Sequence, residues 1–195
     1  AFLANAANGS GVLNINGGEL NVLNQFDMAT QSTSNGTINL NGGILKLGTY
    51  QLMVYRGAAT VNVNGGSLFS EGAIQFPYDE TVSIVSANIN LNSGLIDVER
   101  LVFLTNIPKM NLTNGVFKAR YFGSDNNADM SDFYVSSGVI TAFGGNSKAA
   151  LNFAIAEDGK TKITASLSTA QQAWNPWPIG KNVPIENSTI TWSAG

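Results

Sequence analysis

Hydrophobic and polar residues alternate along much of this chain, and the alternation comes in repeats. Gly11-Val-Leu-Asn-Ile-Asn-Gly-Gly-Glu-Leu20 returns as Gly36-Thr-Ile-Asn-Leu-Asn-Gly-Gly-Ile-Leu45 and as Ala59-Thr-Val-Asn-Val-Asn-Gly-Gly-Ser-Leu68. Looser copies span 88–96, 109–117 and 132–140. The second glycine falls at Gly18, Gly43, Gly66, Gly94, Gly115 and Gly138. Aligned there, three columns are apolar in every copy. Leu13, Ile38, Val61, Ile89, Met110 and Phe133 stand five residues before the glycine. Ile15, Leu40, Val63, Leu91, Leu112 and Val135 stand three before it, and Leu20, Leu45, Leu68, Ile96, Phe117 and Ile140 two after it. Between them lie Asn14, Asn39, Asn62, Asn90 and Asn111 in one polar column, and Asn16, Asn41, Asn64 and Asn92 in another. Such a period of two is that of a half-buried strand.

The inward positions on either side of the glycine are an odd number of residues apart. A straight strand cannot keep both inside, so the chain must turn or bulge at Asn-Gly-Gly. The glycines recur at intervals of 25, 23, 28, 21 and 23 residues, which is a repeat architecture. Strand, corner, strand and return predict an all-β fold: a right-handed parallel β-helix (β-solenoid) with coils of about 21–28 residues. Coils would stack at roughly 4.8 Å and cover one another's apolar faces. Asparagines in an outward column would then form ladders of side-chain amides. An antiparallel sandwich also has regular turns, but gives no reason to repeat one phrase.

Coils are expected over 1–167. Second strands are placed at 51–55, 72–76, 99–104 and 119–122, with a third near 82–85. Residues 1–7 would supply the last strand of a preceding coil or a frayed end, and Phe26 and Met28 mark a further strand. An excursion at Pro77-Tyr-Asp-Glu80 accounts for the longest interval. Residues 150–155 and 162–167 alternate about Asp158-Gly159, which predicts a degenerate coil or an added hairpin. Residues 168–187 hold Trp174-Asn-Pro-Trp-Pro178 and read as a loop or cap, because proline lacks a donor. Residues 188–195 restate the phrase, with Ile190 and Trp192 inward. The chain therefore reads as a segment of a longer solenoid.

Composition narrows the chemistry. Of 195 residues only 12% are charged, with 21 glycines, which suits polar ladders better than a charged surface. Cysteine and histidine are both absent, so thiol nucleophiles, disulfides, Cys/His zinc sites and imidazole acid–base schemes are excluded. The ten basic residues are scattered at a net charge of −3, so nucleic acid is not an expected partner. No apolar run is long enough to span a membrane.

At the phrase Gly36 to Leu45 the chain resembles the repeats of bacterial autotransporter-type β-helix proteins. It is especially similar to the G-x-L-x-V-x-G-G-x-L repeats of large exported proteins in Planctomycetes, Verrucomicrobia and Lentisphaerae. Thr191-Trp-Ser-Ala-Gly195 resembles the opening of the next module in such proteins. The resemblance covers roughly residues 10–142 and 188–195. It implies a β-helix and export to the cell surface or beyond, and it carries over no catalytic residue.

Three groups could carry chemistry. Asp97 and Lys118 share the third position after their glycines, with Glu99, Arg100 and Arg120 close by. Carboxylates and cations on one outer face could grip an acidic glycan or act on a uronate. The simpler reading is a salt bridge between rungs. Asp125, Asn127 and Asp129 match the first oxygen positions of a calcium loop. Met130 stands where glycine is needed and Ser136 where a bidentate carboxylate is needed. An EF-hand is thereby excluded, an Asx-rich turn is the simpler reading, and a structural Ca²⁺ is the only candidate cofactor. Trp174 and Trp177, with Tyr121, could stack on sugar rings, although indoles more often pack in cores.

The expectation is a non-enzymatic, extracellular, structural or adhesive module of a bacterial surface or secreted protein. Its partners would be itself or neighbouring solenoid segments, end to end. The alternative is a carbohydrate-binding or polysaccharide-cleaving β-helix.

Overall fold

The computed structural model of the chain describes residues 1–79, 81–105, 107–123, 134–145 and 151–166. In chain order the strands are β1 (Phe2–Leu3), β2 (Ser10–Ile15), β3 (Glu19–Val22), β4 (Phe26–Met28), β5 (Asn35–Leu40), β6 (Ile44–Leu47), β7 (Leu52–Val54), β8 (Ala58–Phe76), β9 (Ser86–Phe103), β10 (Lys109–Leu112), β11 (Val116–Phe122), β12 (Ile140–Ala142), β13 (Leu151–Ile155) and β14 (Thr161–Ala165). All pairings up to β12 are parallel. The fold is a parallel β-helix.

It has three faces, because each phrase contains two strands and the segment after it a third. On the first face β2, β5, the start of β8, the start of β9 and β10 lie in register. Leu13, Ile38, Val61, Ile89 and Met110 form one column there, as the alternation predicts. On the second face β3, β6, the middle of β8, the middle of β9 and the start of β11 bring Leu20, Leu45, Leu68, Ile96 and Phe117 together. The third face runs β1, β4, β7, then the ends of β8, β9 and β11. The strands expected at 26–28, 51–55, 72–76, 99–104 and 119–122 all feed this face.

The corner behaves as the parity argument requires. β8 and β9 pass through it without leaving the sheet, and their register shifts between Val63 and Asn64 and again before Ser67. Gly43 sits at φ +71°, and a Cβ on it would lie 2.5 Å from the Gly18 carbonyl oxygen of the coil beneath. Conformation and space both demand glycine there.

Inside, the columns are fully buried from the second coil onward. The N-terminal coils are mostly aliphatic, with Phe26 their buried aromatic side chain. Toward the other end the core becomes aromatic, with Phe76, Phe103, Phe117, Phe122 and Tyr134 in ring contact. Tyr134 closes the third face: its hydroxyl accepts from the Phe103 amide at 3.0 Å. Burial pushes that phenol's pKa up.

Two expectations are corrected. The sixth phrase does not align on Gly138. Residues 134–136 form a helical turn, and Ile140 pairs with Met110 instead of stacking on Phe117. The true sixth copy is Ile140-Thr-Ala-Phe-Gly-Gly145, which puts Gly145 where Gly138 was expected. Residues 82–85 are not a strand, and the Val85 amide donates back to the Arg56 and Gly57 carbonyls at 3.2 Å. The choice left open at 150–167 resolves to a hairpin. β13 and β14 pair antiparallel, and β14 lies antiparallel on β11. The cap at 168–187 and the further coil at 188–195 lie outside the described residues.

Candidate functional site

The outer surface of the second face carries the column Asn21, Lys46, Phe69, Asp97 and Lys118. Parallel register stacks Lys118 on Asp97, and Lys118 Nζ lies 2.9 Å from Asp97 Oδ2. The hairpin turn then swings Asp158 and Lys160 onto the same spot. Lys118 also binds the Asp158 carboxylate, and Lys160 Nζ reaches Asp97 Oδ1 at 2.7 Å. Arg120 Nε binds Glu99 at 2.9 Å, with Lys160 at 3.9 Å from the same carboxylate. Three cations and three carboxylates neutralise one another in a cluster whose central side chains are only 14–19% exposed. The hydrogen bonds from Lys118 and from the Lys160 amide hold the Asp158 carboxyl below its ordinary pKa. Those to Asp158 and Asp97 raise that of Lys118.

The cationic trio expected to face a glycan is therefore divided. Lys118 and Arg120 are occupied in fastening the hairpin. Arg100 points to the third face, with its guanidinium 5.3 Å from the centre of the Tyr121 ring. Trp174 and Trp177, and Asp125, Asn127 and Asp129, lie outside the described residues. Among the described residues no cluster of three or more acidic side chains is arranged to hold a metal.

Two grooves flank the edge between the second and third faces, sharing Glu71 and Glu99. One, of about 570 Å³, is lined by Gln51, Gln75, Tyr78, Asp79 and Arg100. The other, of about 510 Å³, has Phe69, Lys46 and Leu47 on its wall. Tyr78 is held flat by stacking on Tyr55, at 4.7 Å between ring centres. Burial first, and the nearby Asp27 carboxylate second, raise the Tyr55 pKa. Glu71 is exposed and has no partner among the described residues. Asp79 is held below its ordinary pKa by the Thr81 amide and hydroxyl. The exposed Glu71 carboxylate can accept hydrogen bonds from either groove.

The first face carries the most regular chemistry. Asn39 donates to Asn14, Asn62 to Asn39 and Asn90 to Asn62, each at 2.8 Å. Two positions along, Asn41 donates to Asn16, Asn64 to Asn41 and Asn92 to Asn64 at 2.8–2.9 Å. The predicted ladders exist, and every rung donates in the same sense, from the later coil to the earlier. Asn111 departs from its column: its carbonyl oxygen accepts from the Gly144 amide at 2.7 Å and the Thr141 hydroxyl at 3.4 Å.

Sequence reasoning missed Asp158, Lys160, Glu71 and Tyr78. The charged turn Asp158-Gly-Lys160 was visible, but only the antiparallel docking of β14 places it over Asp97. The chain matches no family model, no curated protein and no solved structure.

Proposed function

We propose that this chain is a non-enzymatic rod module: a rigid β-solenoid stretch of an exported bacterial surface or secreted protein. It would serve as stalk, fibre or adhesin scaffold. The observation that carries this reading is the pair of asparagine ladders, continuous over four coils with one polarity. Six amide bonds in line with the backbone hydrogen bonds resist bending and twisting along the axis. The clustered charges support the same reading, since they are spent on one another. The mechanism is mechanical: stacked coil interfaces hold whatever lies beyond them at a fixed distance.

X-ray scattering and electron microscopy test it. A rigid elongated particle, inert toward acidic and neutral polysaccharides in a cleavage assay, is expected. A flexible chain, or release of unsaturated uronates, would remove the reading.

The paired grooves favour a second reading, carbohydrate binding. A rigidly presented tyrosine beside amides and a free carboxylate suits a sugar ring. Saturable calorimetric binding of an oligosaccharide that is lost in Tyr78→Ala would establish it.

A further inference from the structure

We propose that the N-terminal end of the solenoid is a docking face for one more parallel coil carrying the same Asn-x-Asn-Gly-Gly phrase. This deepens the rod reading, on which it rests, by naming the partner that the end accepts. Ladder polarity is the first argument. Each asparagine Nδ2 donates to the coil before it, so Asn14 and Asn16 accept from Asn39 and Asn41 while their own Nδ2 groups have no partner among the described residues. An acceptor row belongs beneath them.

Gly17 is the second argument. In the next two coils the same position cannot hold a Cβ, because the Asn16 or Asn41 carbonyl oxygen of the coil beneath would lie 2.8–2.9 Å from it. At Gly17 nothing lies within 4 Å, and its φ is not positive. Neither space nor conformation requires glycine there until another corner packs beneath it in the register of those two coils; the fourth coil, whose register shifts at the corner, carries Ser93 instead. The apolar columns agree: Leu3, Leu13, Leu20 and Val22 are half-buried, whereas Met28, Ile38, Leu45 and Leu47 above them are 0–2% exposed.

A second copy fits this face poorly. At its far end the Asn111 oxygen is already occupied and the β11 edge is covered by β14. Two N-terminal ends brought together would set donor row against donor row. The fitting partner is a coil with amide oxygens at two alternate outward positions, a glycine pair at the corner and aliphatic residues inward.

The test is a tandem duplication of residues 1–25 placed ahead of Ala1. Strand pairs β1–β4, β2–β5 and β3–β6 all have an offset of 25 residues, so this keeps register. Gly17→Ala in the original segment is then compared in the parent and in the duplicated chain. We expect the parent to change in Tm by less than about 2 °C and the duplicated chain to fall by about 5 °C or more. Amide exchange in β2 and β3 should slow by about tenfold on duplication. Equal responses to Gly17→Ala, with β2 amides exchanging as fast as before, would overturn the proposal. So would a concentration-dependent dimer of the parent that protects β2 equally, which would make a second copy the occupant. A duplicated chain that docks its added coil yet cleaves a polysaccharide would sink the rod reading and leave this one standing.

Discussion

The first coil and the last parallel coils of the described residues are built from the same columns and covered in different ways. At the N-terminal end β2 and β3 each have a bare edge, and Leu13 and Leu20 are half-exposed. Toward the other end the column containing Leu20 runs through Phe117 to Ile163, both fully buried, with β14 paired antiparallel to β11. Tyr134 plugs the third face beside it. The difference lies in polarity. A parallel strand bonded to an edge leaves an edge like the one it covered, whereas an antiparallel hairpin ends the parallel series on that face. The asymmetry gives the solenoid a direction.

The largest effect should come from one column sampled at its two ends. Phe117→Ala empties a sealed aromatic site and should cost about 3–5 kcal/mol. Leu20→Ala removes a side chain that water already reaches and should cost about 1 kcal/mol. Urea unfolding of both variants measures the contrast. Equal losses would mean that the N-terminal face is covered in solution.

The fold was legible because the repeat makes the same physical statement several times. Five copies of Asn-Gly or Ser-Gly at a corner, each with inward residues of opposite parity, leave few geometries open. The sixth failed for an instructive reason. Val135-Ser-Ser-Gly138 imitates the phrase in residue type, but its apolar residues pack as a helical turn. The copy at Ile140-Thr-Ala-Phe-Gly-Gly145 has no asparagine, so a search led by asparagine passes over it. Its glycine doublet was the signal to follow. The ladders were legible because one residue type fills each column. The charge cluster was only half so: Asp97 over Lys118 follows from the repeat, whereas Asp158 and Lys160 arrive from outside it through a hairpin whose docking no local pattern specifies.

That cluster gives the second contrast between the ends. Asp97 binds two lysines in a crowded site, and Asp97→Asn should cost about 1–2 kcal/mol, between the limits for exposed and buried pairs. Near the N-terminal end Lys46 pairs with Glu19 at 3.0 Å, but with side chains 37–48% exposed, and Lys46→Met should not measurably change stability. Acid should release the hairpin before it unfolds the coils. Asp158 has a depressed folded pKa, so its contribution is present above its unfolded value and is lost as pH falls through the folded one. Lys118 has a raised folded pKa, so its contribution is present below its unfolded value and is lost as pH rises through the folded one. The hairpin should therefore be held best between about pH 4 and pH 10. Hydrogen exchange of β13 and β14 across that range is the measurement, and a pH-independent profile would show that backbone pairing alone holds them.

The smallest effect compares interior and terminal rungs of one ladder. Asn62 donates to Asn39 and accepts from Asn90, so Asn62→Ala breaks two amide bonds in the interior of the ladder. Asn14→Ala breaks one, at the open end. Net losses of about 1 kcal/mol for Asn62 and about half that for Asn14 are expected. Replacement by serine should recover little, since a hydroxyl is too short to reach both neighbouring rungs. The informative quantity is coupling: if the amides align one another along the ladder, Asn62→Ala should also weaken the next rung, the bond from Asn39 to Asn14, which it does not touch. Exchange of the Asn39 side-chain amide would then rise with the loss of Asn62. If only direct partners matter, Asn14→Ala will leave Asn62 untouched and the two substitutions will add. Non-additivity would show that the first face acts as one elastic element, which is the property a rod requires.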